Sequence, residues 1–80
     1  MENENSKTND NYDPIENHKL TERELIVLGL IIKGFNNFEI ASVIHVSYHT
    51  VKVHVSAILR KFNVKTRTQA AIYALSNNIL

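Results

Sequence analysis

Four helix-start signals lie between residues 21 and 69, and they constrain the fold of this chain more than any other feature of its sequence. In a capping box, a cap residue precedes a Glu or Gln by three positions, and each side chain binds the other residue's backbone N–H. Three pairs have this spacing, namely Thr21 with Glu24, Asn36 with Glu39, and Thr66 with Gln69. Ser47 supplies a fourth cap residue. The sequence therefore predicts four helices.

The apolar residues give these helices their extents and their buried faces. The first helix runs from its cap to Gly34, which suits the left-handed position after a helix end, and the second ends near His45. Although YHTVKVHV alone resembles a β-strand, the cap before it and the longer apolar period favour a helix. The predicted buried face is Val51, Val55, Ile58, Leu59 and Phe62 in the third helix and Ala70, Ala71, Ala74 and Leu75 in the fourth.

The junction between the second and third helices is short, with an apolar Val46 pointing inward. Two helices joined in this way, the second long and basic on its outer side, are typical of a helix-turn-helix. We predict an all-α fold, a four-helix bundle-like domain over residues 20–80 with a central helix-turn-helix. In that motif the second helix, here about Tyr48 to Phe62, lies in the major groove of double-stranded DNA.

Charge divides the chain into two parts. Residues 1–19 carry five acids against two lysines and only three apolar residues, which predicts a disordered, acidic, Asn-rich tail. Residues 20–80 carry seven Lys and Arg against three Glu, and no acidic side chain follows Glu39. A positive field of this kind suits a polyanionic partner such as nucleic acid or an anionic membrane.

The remaining composition excludes several classes of protein. Eighty residues allow one small domain, and the lack of cysteine excludes disulfides and thiolate zinc sites. The longest apolar run has eight residues, too short to cross a bilayer, and the polar N-terminus is no secretory signal. We therefore expect a cytoplasmic protein that is not associated with a membrane.

The side of the third helix opposite its buried face holds the candidate DNA contacts. Lys52, Ser56 and Arg60 lie four residues apart there, so their donors follow one line along the helix. Val53 and His49 lie on the same side. His54 borders the core and is expected to be a packed histidine more than a base reader. Tyr48 and Tyr73 are expected to be half-buried surface aromatics.

Three motifs resemble one family. LTERE, NNFEIA and VSYHTVKVHVSAILRKFNVKTRTQAA follow the pattern of the LuxR/NarL/FixJ/GerE-type DNA-binding domain of bacterial transcription regulators, over residue 20 to about residue 80. The resemblance implies base contacts at Lys52, Val53 and Ser56. It implies DNA-backbone contacts near Ser47, Thr50, Lys65 and Arg67, to which the charge and the outer face of the third helix add His49, Arg60 and Lys61. For Lys61, Lys65 and Arg67 the alternative is a solvated helix end that complements the helix dipole.

The resemblance also implies a dimer that pairs through the fourth helix. Because Ala70, Ala71 and Ala74 are predicted to face inward, we assign the interface to Ile72, Tyr73 and Ser76. The start at Met1, with only a short segment before the match, is similar to the layout of stand-alone, GerE-like members. RNA polymerase is a further expected partner of this chain. Ser56 is shorter than the usual family residue, Phe38 replaces a basic or polar one, and Leu25 and Ile26 replace charged ones.

Other functions have less support. The three acids of residues 20–80 all lie in first helical turns, where capping accounts for them, so we expect neither an enzyme nor a cofactor. His45, His49 and His54 do not share a helix face, so we expect no metal site. The alternative function is a helical protein-interaction module, an anti-activator or RNA-polymerase-docking protein, against which the basic stripe argues. A relative of the sigma-factor helix-turn-helix would normally lie within a much longer chain.

Overall fold

The computed structural model of the chain describes residues 19–80, which form four α-helices and no β-strand. The helices are α1 (Glu22–Ile32), α2 (Asn37–Ile44), α3 (Tyr48–Phe62) and α4 (Arg67–Ser76). The predicted all-α fold is confirmed. The predicted acidic tail lies outside the described residues, apart from Lys19.

Each helix begins at the cap residue that the sequence predicts. All three capping boxes are formed, and in the first the Thr21 N–H donates to Glu24 Oε1 at 2.9 Å while the Glu24 N–H donates to Thr21 Oγ1 at 3.1 Å. Ser47 caps α3 by accepting from the Thr50 N–H at 3.0 Å. Because these bonds satisfy backbone donors that a helix leaves unpaired, they fix where each helix starts.

The helix ends use the left-handed backbone conformation. Gly34 follows α1 with φ of 93°, where it carries no Cβ penalty, as its position in the sequence predicts. His45 ends α2 with φ of 59°, and Asn63 ends α3 with φ of 56°. Only His45, Val46 and Ser47 lie between α2 and α3, and the left-handed His45 lets the chain turn within these three residues.

The third helix is the centre of the fold, because α1, α2 and α4 all pack against it and α1 also packs against α4. The core contains the fully buried side chains Val27 and Leu28 of α1, Ile40 of α2, and Val51 and Ile58 of α3. The methyl groups of Ala70 and Ala74 complete it from α4. With its inner face fully occupied, α3 presents only its opposite face to solvent.

The burial of two α3 side chains differs from the prediction. Leu59 is only half-buried, because it lies at the edge of the stripe that Val51, Val55, Ile58 and Phe62 form. Ala57, which the pattern places outside that stripe, is 9% exposed. Its side chain is short enough for longer neighbours to cover it, an effect that a helical period does not capture.

The prediction that Leu75 is buried is wrong, since its side chain is 62% exposed. Leu75 lies about 100° around the helix from Ala74, and α4 turns only a narrow alanine stripe towards α3. Ala71, at the border of that stripe, is half-buried. The small alanine side chains let α4 approach closely, so a residue one position past the stripe already faces solvent.

Candidate nucleic-acid interface

The outer face of α3 forms a shallow concave surface of about 340 Å³. Five exposed residues line it together with the small Ala57 at its floor, and they are His49, Lys52, Val53, Ser56 and Arg60. We call this surface the α3 outer face. The structure thus brings together the three predicted base-contacting residues and two of the predicted backbone contacts on one helix. The surface offers cationic donors at Lys52 and Arg60, a hydroxyl at Ser56, and apolar surface at Val53, which is 52% exposed.

The N-terminus of α3 carries the next two predicted backbone contacts. Ser47 Oγ accepts from the Thr50 N–H and donates to Thr50 Oγ1 at 2.9 Å. The Thr50 hydroxyl accepts in that pair, so its own hydrogen remains able to donate to another acceptor. The positive end of the helix dipole lies beside these hydroxyls, which favours a negatively charged group there.

Lys61 forms an ion pair with Glu24. The Lys61 Nζ donates to Glu24 Oε1 at 2.7 Å, and the same oxygen accepts from the Thr21 N–H. Capping is the only role that the sequence pattern predicts for Glu24, so the predicted role is confirmed but incomplete. Through Lys61 the carboxylate also joins the end of α3 to the start of α1. The ammonium of Lys61 therefore has a structural partner within the chain, independent of any contact with DNA.

The environment of Glu24 shifts its pKa. Burial raises the pKa of this carboxyl, but the hydrogen bonds from Lys61 and from the Thr21 backbone, with the positive charge of Lys61 and the proximity of His54, outweigh burial. The net pKa of Glu24 lies below its ordinary value of 4.5. Glu24 is therefore ionised at neutral pH although its side chain is only 8% exposed.

Arg67 also makes contacts within the chain. Its guanidinium donates from one nitrogen to Asn37 Oδ1 at 2.7 Å and from another to the Phe35 carbonyl oxygen at 2.9 Å. These bonds join the first residue of α4 to Phe35, between α1 and α2, and to Asn37, the first residue of α2. A guanidinium has five N–H donors, so part of its donor capacity is committed to the fold. Lys65, the remaining predicted backbone contact, is exposed two residues before α4.

A stack of side chains that the sequence did not reveal lies at the turn between α2 and α3. The rings of Phe38 and Tyr48 are stacked, with centroids 4.3 Å apart and an interplanar angle of 23°. The Lys52 Nζ lies over the Tyr48 ring, 5.8 Å from its centroid. We call Phe38 and Tyr48 the aromatic pair. The spacing of Tyr48 and Lys52, four residues apart in a helix, was a signal for their contact, whereas nothing in the sequence indicated Phe38 as a partner.

The outer side of α4 differs in part from its prediction. Ile72 is 59% exposed and Ser76 is exposed, as the assignment to a dimer interface requires. Tyr73 is half-buried, with its ring centroid 4.8 Å from that of Phe62, so much of its surface is used inside the protomer. Leu75, which the pattern assigned to the core, is exposed beside Ile72 instead.

Residues 19–80 lack the features of two other kinds of site. No group of three or more His, Asp or Glu side chains in residues 19–80 is arranged to hold a metal ion. None of the four helices of this part of the chain has the length and apolar content that a bilayer-spanning segment requires.

Comparison with known proteins decides the family. A family model described as bacterial regulatory proteins, luxR family, matches residues 18–74, which include all of α1, α2 and α3 and most of α4. The chain belongs to the LuxR family of bacterial regulatory proteins. The resemblance found in the sequence motifs is thereby confirmed. The α2–turn–α3 unit is the helix-turn-helix of this family's DNA-binding domain.

Curated relatives within the LuxR family are longer proteins. The response regulator protein VraR of Staphylococcus aureus is 56% identical over 61 residues, as are the VraR proteins of Staphylococcus saprophyticus and Staphylococcus epidermidis. The match covers 76% of this chain but 29% of each relative. The chain thus matches less than a third of the length of these response regulators.

Proposed function

We propose that this chain regulates bacterial transcription by binding double-stranded DNA sequence-specifically, with the N-terminal half of α3 in the major groove. The observation that carries this proposal is the α3 outer face, where cationic, hydroxyl and methyl groups lie exposed on one helix whose other face is held in the core. An α-helix fits the major groove, where each base pair shows a distinct pattern of donors, acceptors and methyl groups.

In this proposal, Lys52, Val53 and Ser56 contact bases. Lys52 can donate to the O6 and N7 acceptors of guanine, and Val53 can contact the C5-methyl group of thymine. Ser56 has a short side chain, so it reaches only an edge close to the helix. These three residues occupy adjacent turns of α3, which lets one rigid helix read neighbouring base pairs.

The contacts to the DNA backbone are proposed for residues around this centre. The hydroxyls of Ser47 and Thr50 lie at the positive end of α3 and suit a phosphate. His49 and Arg60 lie on the α3 outer face, and Lys65 is exposed in the segment before α4. We propose that Lys61 and Arg67 keep their bonds to Glu24 and Asn37 when DNA is bound. Their remaining N–H donors then contact phosphate. The absence of acidic side chains after Glu39 removes repulsion from this surface.

The first prediction tests the base contacts. We expect Lys52→Ala and Val53→Ala to change the free energy of unfolding by less than about 0.5 kcal/mol, because both side chains are exposed. We expect Val53→Ala to weaken the binding free energy for a cognate duplex by about 1 kcal/mol and to leave binding to random DNA almost unchanged. Lys52→Ala should weaken binding to both kinds of DNA, and binding to the cognate duplex more strongly. The cognate duplex is first selected from a random library by its binding to the wild-type chain. Binding titrations then compare this duplex with a duplex of random sequence.

The control for Lys52→Ala is Lys33→Ala, which removes the same charge from an exposed position at the end of α1. It should weaken binding to both duplexes equally and slightly, through the general field alone. If Lys52→Ala and Lys33→Ala are indistinguishable in their preference for the cognate duplex, Lys52 does not contact a base. If both α3 variants destabilise the fold and keep wild-type preference, the proposed orientation of α3 is incorrect.

We also propose a homodimer through α4. Its interface consists of Ile72, Ser76 and the exposed Leu75. Tyr73 contributes the part of its ring that Phe62 leaves uncovered. Two exposed aliphatic side chains on one side of a helix provide an apolar patch that a second copy of the chain can cover. A two-fold dimer places two copies of α3 about one DNA turn, ~34 Å, apart.

The second prediction concerns this interface. Ile72→Glu should abolish self-association in sedimentation experiments and cooperative binding to paired half-sites, because a carboxylate on the patch opposes its own copy across the two-fold axis. The matched control is Ile26→Glu, which places the same charge at an exposed isoleucine of α1. Equal effects of the two substitutions, or none from Ile72→Glu, would show that α4 is not the interface.

The remaining parts of the proposal follow from this mode of action. DNA binding of this kind needs neither a catalytic group nor a cofactor, and it locates the protein in the bacterial cytoplasm on the nucleoid. RNA polymerase is a proposed partner of the DNA-bound regulator, on a surface other than the α3 outer face, because DNA covers that face.

A further inference from the structure

The aromatic pair lies at the start of α3 and is exposed. Phe38 is 69% exposed and Tyr48 is 40% exposed, so neither ring is a core residue. They come from different helices, Phe38 from the first turn of α2 and Tyr48 from the first position of α3. Their stacking therefore joins the two helices of the helix-turn-helix on its solvent side, opposite the core contacts that join them from within.

The ammonium of Lys52 lies beside this pair. Its ammonium lies 5.8 Å from the centroid of the Tyr48 ring, within the distance at which a cation is attracted to an aromatic face. An exposed lysine otherwise samples many rotamers, and holding it in one of them for a DNA contact has an entropic cost. A ring that already holds the ammonium reduces that cost, provided the ring itself is held. The Phe38 ring is stacked on the Tyr48 ring, and such a contact limits the motion of the Tyr48 side chain.

We propose that Phe38 and Tyr48 are positioning residues for Lys52: the stacked pair holds the Lys52 ammonium towards the groove and thereby increases the preference for the cognate DNA sequence. This inference rests on the base contact proposed above for Lys52. It assigns a role to Phe38, whose exposed phenyl ring neither packs in the core nor belongs to the α3 outer face.

The test uses the full chain and the two duplexes described above, and measures the ratio of cognate to random affinity under conditions where circular dichroism shows each variant to be folded. Tyr48→Leu keeps an apolar side chain but removes the ring. We expect it to lower the ratio by about 2- to 5-fold, the range of a cation–π contact at an exposed site. Tyr48→Phe keeps the ring without the hydroxyl and should restore the wild-type ratio. Phe38→Leu should lower the ratio in the same direction, because the Tyr48 ring loses its support.

The decisive measurement repeats Tyr48→Leu in a Lys52→Ala background. If Tyr48 acts through Lys52, the second substitution should have no further effect on the ratio. An equal loss in both backgrounds would overturn the inference, because the ring would then act by itself. A wild-type ratio in Tyr48→Leu would overturn it as well, and a wild-type ratio in Phe38→Leu would overturn the part assigned to Phe38.

The design separates this inference from the proposed function. If Lys52→Ala alone loses preference for the cognate duplex while Tyr48→Leu keeps it, the base contact stands and only the positioning role fails. If Lys52→Ala alone keeps the wild-type ratio, the proposed base contact is incorrect and the positioning role falls with it.

Discussion

Ile58→Ala is expected to cost about 2 to 5 kcal/mol in the free energy of unfolding. Ile58 is fully buried in the central helix, so its truncation leaves a cavity between α3 and the helices packed on it. A domain of this size has a total stability near the lower end of the usual 5 to 15 kcal/mol. The substitution should therefore leave a large unfolded fraction at 37 °C and abolish DNA binding indirectly.

Denaturant titration followed by circular dichroism measures this loss, and Leu59→Ala is the matched control on the adjacent position. Leu59 is half-buried, so its truncation removes less apolar surface from the core and should cost only about 1 to 2 kcal/mol. Equal losses at the two positions, or a larger loss at Leu59, would mean that α3 is rotated about its axis relative to the structure described here.

Glu24→Gln should be the second most damaging of these changes, at about 2 kcal/mol. The amide keeps an oxygen that can accept from the Thr21 N–H, so the capping box can persist, but it no longer carries the charge that pairs with Lys61. Breaking a buried ion pair from one side costs about 3 to 5 kcal/mol, and the 28% exposure of Lys61 lets water compensate part of that.

Glu39→Gln is the matched control, because Glu39 makes the same capping box at α2 in an exposed position. It should change stability by less than about 0.5 kcal/mol. Similar losses for Glu24→Gln and Glu39→Gln in denaturant titrations would show that capping alone accounts for Glu24 and that the ion pair contributes nothing.

The loss at Glu24 should depend on pH in a defined direction. Because the pKa of Glu24 is lowered in the folded state, the unfolded chain binds more protons than the folded chain as pH falls below about 4.5. The stabilisation is therefore fully present above the unfolded pKa and disappears as pH falls through the folded pKa. The difference in stability between wild type and Glu24→Gln should be constant near neutral pH and shrink in acid. A difference that stays constant into acid would contradict the lowered pKa.

Local chemistry explains why so much of the fold could be predicted from the sequence. A capping box involves residues three positions apart, so Thr21 with Glu24 or Thr66 with Gln69 carries its own structural information. The glycine after α1 and the helical apolar period are equally local. The α3 outer face could be predicted for the same reason, since it is the side of a helix left over when the buried side is known.

Amphipathic periodicity is less informative where side chains are small or lie at the edge of a stripe. Ala57 is buried and Leu75 is exposed, contrary to the pattern. Longer neighbours cover the short side chain of Ala57, whereas the exposure of Leu75 depends on how closely the neighbouring helix approaches. The alanine stripe of α4 brings that helix close to α3 and leaves only a narrow covered face. A periodicity describes directions around one helix and contains no information on that distance.

The sequence by itself determined the four helices, their starts, the family and the residues on the outer face of α3. Only the tertiary structure decided the partners of residues far apart in the chain. Glu24 binds Lys61, 37 positions away, and Arg67 donates a hydrogen bond to Asn37, 30 positions away. Phe38 stacks on Tyr48 from the other side of the turn. The physical reason is that a side chain's rotamer and its helix period give its direction, whereas its partner depends on how whole helices pack, which is set by the complete core at once.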